Sequence, residues 1–385
     1  MKQITVGLVA LLMLLLVPAC RDKSGTTATD PTTRVLKVGG ILSKTGGAAA
    51  YGSDAEKGAK LAAEEINATG TLQVDYRSVD DKSNQTEAVK VARTLIDVDQ
   101  VDVILGPAIS PSAVSVGKFA NERQIPILAT SATLDAVTTS AEYDREYVFR
   151  VCFNDSFQGS VLGKFAKESL EASTAAIIYD KTLSYSIGLS KTFEEEFTSR
   201  GGRVLHKENY SVNDTDFSAL IGKVAEYNVD VLFIPGWDEN VGPMLKQAGN
   251  KWNNFKLLGG DGWPTDRLLE LAGGNIPESY AVSHYSPEDP TDRVTKFNSA
   301  FRAKYSEEPS PFAALGYDAM HLIADAARRA TDFDGDSLRK AISQTTDLEL
   351  VTGKISFSEK RNPVKDVVIV RINPGAIVFH ERLSP

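Results

Sequence analysis

Cysteine, histidine and surplus positive charge are the scarce ingredients of this chain. Its 385 residues hold two cysteines, Cys20 and Cys152, and four histidines. His206, His284, His321 and His380 are scattered, and none forms an HExxH motif or another paired ligand spacing, so the sequence offers no metal centre. His321 follows Met320 in an amphipathic stretch, where packing or surface exposure accounts for it. Cys152 sits in the apolar run YVFRVCF with no histidine nearby in sequence, the setting of a buried inert thiol and not of a nucleophile. A G-x-S-x-G elbow and a P-loop are both missing. Carboxylate runs such as Glu64 and Glu65, or Glu194 to Glu196, fall on helical stretches and read as solvated faces, because a glycosidase pair would face one another across a crevice. These absences argue against an enzyme and against any cofactor. Lysine and arginine total 42 against 51 acidic residues, a net charge of -9, and no basic cluster interleaves with aromatics. Nucleic acid is therefore a poor partner.

Long apolar runs are scarce too. The first, GLVALLMLLLV at residues 7–17, follows the positive Lys2 and is too short to stay across a bilayer as a permanent helix. It ends in Val17-Pro18-Ala19-Cys20, which resembles the bacterial lipoprotein signal, in which cleavage before the cysteine leaves it acylated. Residues 1–19 then read as a signal peptide and Cys20 as the lipidated residue that anchors the chain outside the cytoplasm; a plain secretory signal or an uncleaved anchor are the alternatives. Residues 20–34, with no apolar side chain after Cys20 beyond Ala28 and Pro31, cannot offset the entropy of ordering themselves and read as a tether. With Cys20 acylated, no intrachain disulfide forms, and stability must come from burial. The remaining stretch of about 350 residues exceeds the size at which one core keeps growing, so two lobes are expected.

From residue 35 the periodicity alternates between strand and helix. A nearly buried strand at 35–42 precedes a helix carrying Ala55, Ala59, Ala62 and Ile66 at helical spacing; then come a strand at 72–79, a helix at 85–96, a strand at 101–105, a helix at 112–121 and a strand at 127–129. Strand, crossover helix and strand in succession imply a parallel sheet covered on both faces. A second series follows Cys152, with helices at 159–170, 187–199, 217–226 and 241–248 and strands at 175–179, 203–210, 229–234 and 256–258. Beyond Pro277 come a strand at 280–284, a helix carrying Val294, Phe297 and Phe301, a helix at 312–330, and strands at 355–357 and 367–372. The fold class is α/β, two doubly wound parallel-sheet lobes.

In such sheets ligands meet the loops beyond the carboxyl ends of the strands. The first loop, SKTGGAAAY at 43–51, lets backbone approach a ligand through its glycines; a surface turn would explain the glycines but not the aromatic Tyr51. It lacks the third glycine of a dinucleotide fingerprint. The second loop, GPAISPS at 106–112, carries Ser110 and Ser112, either of which could cap the next helix or donate to a carboxylate. The third presents Thr130, Ser131, Ala132 and Thr133. These two adjacent strand ends make a neutral donor cluster suited to an anion. The second lobe offers Tyr179, Asp180 and Tyr185 at one strand end, Trp237 and Asp238 at another, and Asp261 with Trp263 at a third. Asp261, flanked by glycines, is the natural partner of an ammonium if it is not a solvated turn aspartate.

At these residues the chain resembles the leucine/isoleucine/valine type of periplasmic binding protein, the type I two-lobed solute receptors of ABC transporters. LSKTGGAAAYG with EKGAKLAAEEIN, LGPAISPSA leading to IPILATSATLDAVT, VLFIPGWDENVGPMLKQAG, GYDAMHLIADAARRA and VTGKISF carry the resemblance in order. It implies a three-segment hinge, with 35–152 and 277–330 in the N-terminal lobe and 153–276 and 331–385 in the C-terminal lobe. It also implies a carboxylate-binding Ser110, a binding group of Ser131, Ala132 and Thr133, Tyr51 beside the glycine loop, Tyr185 and Trp237 from the second lobe, and Asp261 on the amino group where the family often has glutamate. The expected ligand is an amino acid, branched-chain or otherwise apolar, with Tyr51, Trp237 and Trp263 supplying faces for its side chain. The expected partners are an ABC permease and, through Cys20, a membrane; the receptor itself is expected as a monomer. A sensor of amides, urea-like solutes or aromatic acids, coupled to a signalling partner, shares every one of these residues, and a purely structural surface lipoprotein is a third reading.

Overall fold

A computed structural model of the chain describes Met1, residues 35–141 and residues 144–383. The signal segment beyond Met1, Cys20 and the tether lie outside the described residues. The first lobe is built from β1 (Val35–Leu42), α1 (Ala49–Ala68), β2 (Gln73–Asp80), α2 (Gln85–Arg93), β3 (Val103–Leu105), α3 (Ser110–Glu122), β4 (Ile127–Ala129) and β5 (Val148–Arg150). All five strands are parallel, in the order β2-β1-β3-β4-β5. Because helices cover both faces, β1 is buried almost continuously from Val38 onward and does not alternate. The strand order reverses between β1 and β3, which opens a crevice at their carboxyl ends.

The second lobe repeats the plan with α4 (Asp155–Glu168), β6 (Thr174–Asp180), α5 (Ser184–Ser199), β7 (Arg203–Tyr210), α6 (Ser218–Val224), β8 (Val231–Phe233), α7 (Asp238–Ala248), β9 (Lys256–Gly259), α8 (Asp266–Ala272) and β10 (Ser279–Ser283). After these come α9 (Asp292–Tyr305), α10 (Pro311–Arg329), α11 (Gly335–Ser343), β11 (Leu348–Leu350), β12 (Gly353–Phe357), β13 (Pro363–Val364), β14 (Val367–Asn373) and β15 (Ala376–Leu383). The second sheet runs β15-β14-β10-β9-β8-β6-β7, parallel from β7 to β10 and antiparallel through β14 and β15. Its own reversal, between β6 and β8, faces the same crevice through the loops that follow those strands.

Two lobe assignments need correction. Residues 277–283 do not return to the first lobe. They form β10, whose five residues are all buried and which pairs with β9 on one edge and β14 on the other; a strand buried on both faces needs a ladder on both edges. Residues 331–364 in turn do not belong to the second lobe. Leu338, Ala341 and Ile342 recur at helical spacing on α11 and, with Leu350 and Ile355, join the core formed by Leu36, Val38, α1 and α10. Only β14 and β15 cross back. The chain thus passes between lobes after β5, after β10 and between β13 and β14.

Helices α1 and α10 meet closely enough that glycine is required on both. A Cβ on Gly58 would lie 1.9 Å from the carbonyl oxygen of Ala313, and one on Gly316 would lie 2.0 Å from that of Ala55. This contact ties the segment after the second crossing to the first lobe, and so fixes where the crossing must lie.

Candidate functional site

A cavity of about 220 Å³ lies where the strand ends of the two lobes face each other, smaller than the roughly 300 Å³ at which pockets for drug-sized ligands begin. The first lobe contributes Tyr51, Ile109, Ser110, Ser131, Thr133 and Phe312, and the second contributes Thr182, Leu183, Tyr185, Trp237 and Asp261. Tyr51, Ser110, Ser131, Thr133, Tyr185, Trp237 and Asp261, singled out from sequence, therefore line one space. Ala132 does not line it; the residue is buried and its carbonyl accepts a hydrogen bond from Arg150 Nη1 at 2.8 Å. Trp263, expected near the ligand, is instead wholly buried in the second-lobe core, with its indole N–H donating to Ile234 O at 3.1 Å. A ring of that size close behind a strand end fills the core before it can reach the cleft.

The first-lobe wall is uncharged and rich in hydroxyls. Tyr51 stands in the first turn of α1, just after a loop that Asp80 and Asp81 pin to the end of β2: Asp80 Oδ1 accepts from Lys44 N at 2.9 Å and Asp81 Oδ1 from Ser43 Oγ at 2.6 Å. Ser110 opens α3 without capping it; its hydroxyl oxygen accepts from Leu134 N at 3.2 Å, so its own proton is free to donate. Ser131 Oγ spends its proton on Ala108 O at 2.8 Å and keeps lone pairs for a donor. Ser110 and the opening amides of α3 are thus arranged for an anion. Burial, reinforced by the charges of Asp238 and Asp261, raises the Tyr51 phenol well above its usual range, so it meets a ligand as a neutral ring stacked on Phe312 with centroids 4.2 Å apart.

The opposite wall converges on one carboxylate. Among the described residues lining the cavity, Asp261 is the sole carboxylate and there is no lysine or arginine. It is 8% exposed. Its Oδ1 accepts from Tyr185 Oη at 3.0 Å and from Gln158 Nε2 at 3.1 Å, and its Oδ2 accepts from His284 Nε2 at 3.1 Å. Gln158 also takes the backbone N–H of Asp261 on its Oε1 at 2.7 Å, which fixes the turn as well as the side chain. These donors are neutral: burial pushes the Tyr185 phenol up, and burial pushes the His284 imidazole down against the pull of Asp261. None of the three donors supplies a countercharge to the carboxylate. Gly260 makes the convergence feasible, since a Cβ there would lie 2.2 Å from Tyr185 Oη and 2.7 Å from Gln158 Oε1.

Several residues of this site escaped the sequence reading, among them Thr182, Leu183 and Phe312 on its walls and Gln158 and His284 behind Asp261. Gln158 reaches Asp261 from α4, three residues after the buried Asp155, and two buried polar residues at that spacing on one helix were the available signal. Asp155 is 1% exposed and its N–H donates to Thr133 O at 2.9 Å. His284 lies on the second crossing and reaches Asp261 only through the fold. Phe312 stands in sequence as one more apolar residue at the start of α10.

Comparison with known proteins decides the family. Residues 35–376 match the family described as periplasmic binding protein. The chain belongs to that family. Its members are non-catalytic solute receptors of ABC transporters that work outside the cytoplasm, and their bilobal fold with two doubly wound sheets is the one seen here. The chain is similar to the branched-chain amino acid transporter substrate-binding protein LivJ of Streptococcus pneumoniae, solved with isoleucine. They share 32% identity and a TM-score of 0.83 over 91% of this chain and 100% of that one. A leucine-binding protein LivK from Thermotoga maritima gives 30% identity and a TM-score of 0.82 over 91% and 99%. A leucine-, isoleucine-, valine-, threonine- and alanine-binding protein of Pseudomonas aeruginosa is 27% identical over 82% of this chain and 84% of its own length.

Proposed function

We propose that this receptor binds an α-amino acid with an apolar side chain, of the branched-chain kind, and hands it to an ABC permease. The observation that carries the reading is the opposition of Asp261, held by three neutral donors, to the hydroxyls of Ser110 and Thr133 across one small cavity, with the lone pairs of Ser131 beside them. That polarity matches the ammonium and carboxylate ends of one amino acid, and each charge-assisted bond strengthens when lobe closure removes water. Tyr51, Phe312, Trp237, Leu183 and Ile109 leave the side chain an apolar surrounding with no charge to pair with. Proteins similar to this one are described as binding leucine, isoleucine and valine, which supports the same choice. Ser110, Ser131 and Thr133 take the solute first, and closure brings Tyr185, Trp237 and Asp261 over it. Titration calorimetry of ligand-stripped protein against the common amino acids tests the reading: leucine, isoleucine or valine should bind most tightly, and tighter binding of glutamate or lysine rejects it.

The same proposal includes a lipid anchor on Cys20, supported by the sequence VPAC after an apolar run. Expression of the full chain with labelled palmitate should label the native protein and not Cys20→Ser; equal labelling removes the anchor.

A further inference from the structure

The geometry points to His284 as a positioning residue that couples the seat of the solute's amino group to the hinge: it aims Asp261 from the point where the chain turns between lobes, and so governs release of the solute and not its first capture. This deepens the amino-acid reading above and rests on it. At each crossing the change of lobe is completed within one or two residues. Cys152 packs in the first-lobe core and Phe153, the next residue, in the second-lobe core. Tyr285 packs with Leu61, Phe297 and Phe301 in the first lobe, while His284, just before it, turns back to Asp261. At the third crossing Lys365 Nζ donates to Thr352 Oγ1 at 2.6 Å and to Val151 O at 3.4 Å, both on the first-lobe side, and Val367 is already in the second-lobe core. Neighbouring side chains are thus clamped in opposite lobes, and rotation of one lobe on the other is confined to the few backbone bonds between them.

His284 stands where two of these turning points meet. Its imidazole, with no exposed surface, stacks on Phe153 with ring centroids 3.8 Å apart and planes 25° from parallel, which joins the second crossing to the first. Its Nε2 lies 3.1 Å from Asp261 Oδ2, and its Nδ1 has no hydrogen-bond partner among the described residues. A neutral imidazole carries one ring proton and a carboxylate can only accept, so that proton sits on Nε2 and donates to Asp261. Ser283 Oγ donates to Tyr285 O at 2.8 Å and closes the turn on which the ring is presented. Tyr185 and Gln158 hold the other oxygen, Oδ1, from α5 and α4, and travel with Asp261 as the lobes rotate. His284 is the donor that stands beside a turning point, and Oδ2 therefore takes its aim from the hinge. The ring does not line the cavity, so it acts on the solute through Asp261. First-lobe hydroxyls receive the solute before Asp261 does; a fault in the aim of Asp261 consequently shows after closure, in the rate at which the solute leaves.

Stopped-flow mixing with L-leucine, read by the fluorescence of Trp237 on the cavity wall, separates the two rates. His284→Phe keeps a ring for Phe153 and removes the donor. It should leave association within about twofold of wild type and speed dissociation at least roughly 10-fold, the scale of one hydrogen bond to a charged group. His284→Gln restores a donor and should bring dissociation back to within about threefold of wild type. On an Asp261→Asn background, His284→Phe should add less than about twofold, because the ring acts through that carboxylate. Nitrogen NMR of wild-type protein labelled at histidine needs no variant: the Nε2–H resonance of His284 should move when leucine binds. Dissociation from His284→Phe within twofold of wild type, an equal loss in association, no recovery in His284→Gln, a full effect on Asp261→Asn, or an unmoved His284 resonance each overturns the coupling. Binding of leucine to the wild type with any of these results leaves the amino-acid reading standing, whereas failure of every common amino acid to bind overturns both.

Discussion

Replacing Asp261 with alanine removes the charge around which the second-lobe wall is organised. Three donors, Tyr185 Oη, Gln158 Nε2 and His284 Nε2, sit within 3.1 Å of its carboxylate and lose their acceptor together. A hydrogen bond to a charged group contributes roughly 1.5–3 kcal/mol, and stranding one member of a buried ion pair costs about 3–5 kcal/mol. Water entering the space left by the side chain returns part of that. The expected loss for leucine is about 3 kcal/mol, or roughly 150-fold in Kd at about 1.4 kcal/mol per decade. Asp261→Asn keeps the shape and loses the charge, and should cost at least 10-fold, the scale of one charge-assisted bond of about 1.5 kcal/mol. Titration calorimetry on ligand-stripped wild type and both variants reads the effect directly. The reasoning fails if Asp261→Ala, with an unchanged melting temperature, binds leucine within a factor of two of wild type.

Other consequences follow from the same coordinates. Gly260→Ala should weaken leucine binding by at least roughly 10-fold while the fold survives, because the new methyl displaces Tyr185 and Gln158 from Asp261, a loss of about one hydrogen bond to a charged group; equal affinity by calorimetry would show that Gly260 is not needed for the convergence. Gly316→Ala should destabilise by about 2 kcal/mol or more, since the added carbon meets the backbone of Ala55 and not a yielding side chain. Gly222→Ala on exposed α6, with nothing near the new carbon, should stabilise by up to about 1 kcal/mol, and melting temperatures of the pair should move in opposite directions. His284 is buried neutral, so below about pH 6.5 the unfolded chain takes up a proton that the folded chain refuses, and stability falls as pH drops by at most about 1.4 kcal/mol per unit. His284→Gln should flatten that part of the profile between pH 7 and 5, and parallel profiles would contradict the assignment.

Much of the architecture was legible because it is written in short-range patterns. The apolar spacing of Ala55, Ala59, Ala62 and Ile66 marks α1, and the alternation of strands and helices marks both sheets. Loops beyond strand ends likewise pointed to Tyr51, Ser110, Thr133 and Asp261 before any coordinates, since a doubly wound sheet has few other places to hold a solute. What escaped depends on long-range pairing. Nothing local tells that residues 279–283 complete the second sheet, because the decision is made by β14, about ninety residues later. The apolar stripe of α11 is plain, yet which lobe it covers is settled by Leu36 and Val38 at the start of the domain. His284 reads as an isolated histidine until the second crossing brings it to Asp261, and Trp263 reads as a ligand contact until the core behind β9 claims it.

A crystal structure of the ligand-stripped protein soaked with L-leucine tests the central claim most directly. The account predicts the leucine ammonium within about 3.2 Å of an Asp261 carboxylate oxygen and the leucine carboxylate at the same range from Ser110 and Thr133. Leucine lodged outside the cavity, or bound there with its carboxylate toward the second lobe and Asp261 untouched, would contradict it.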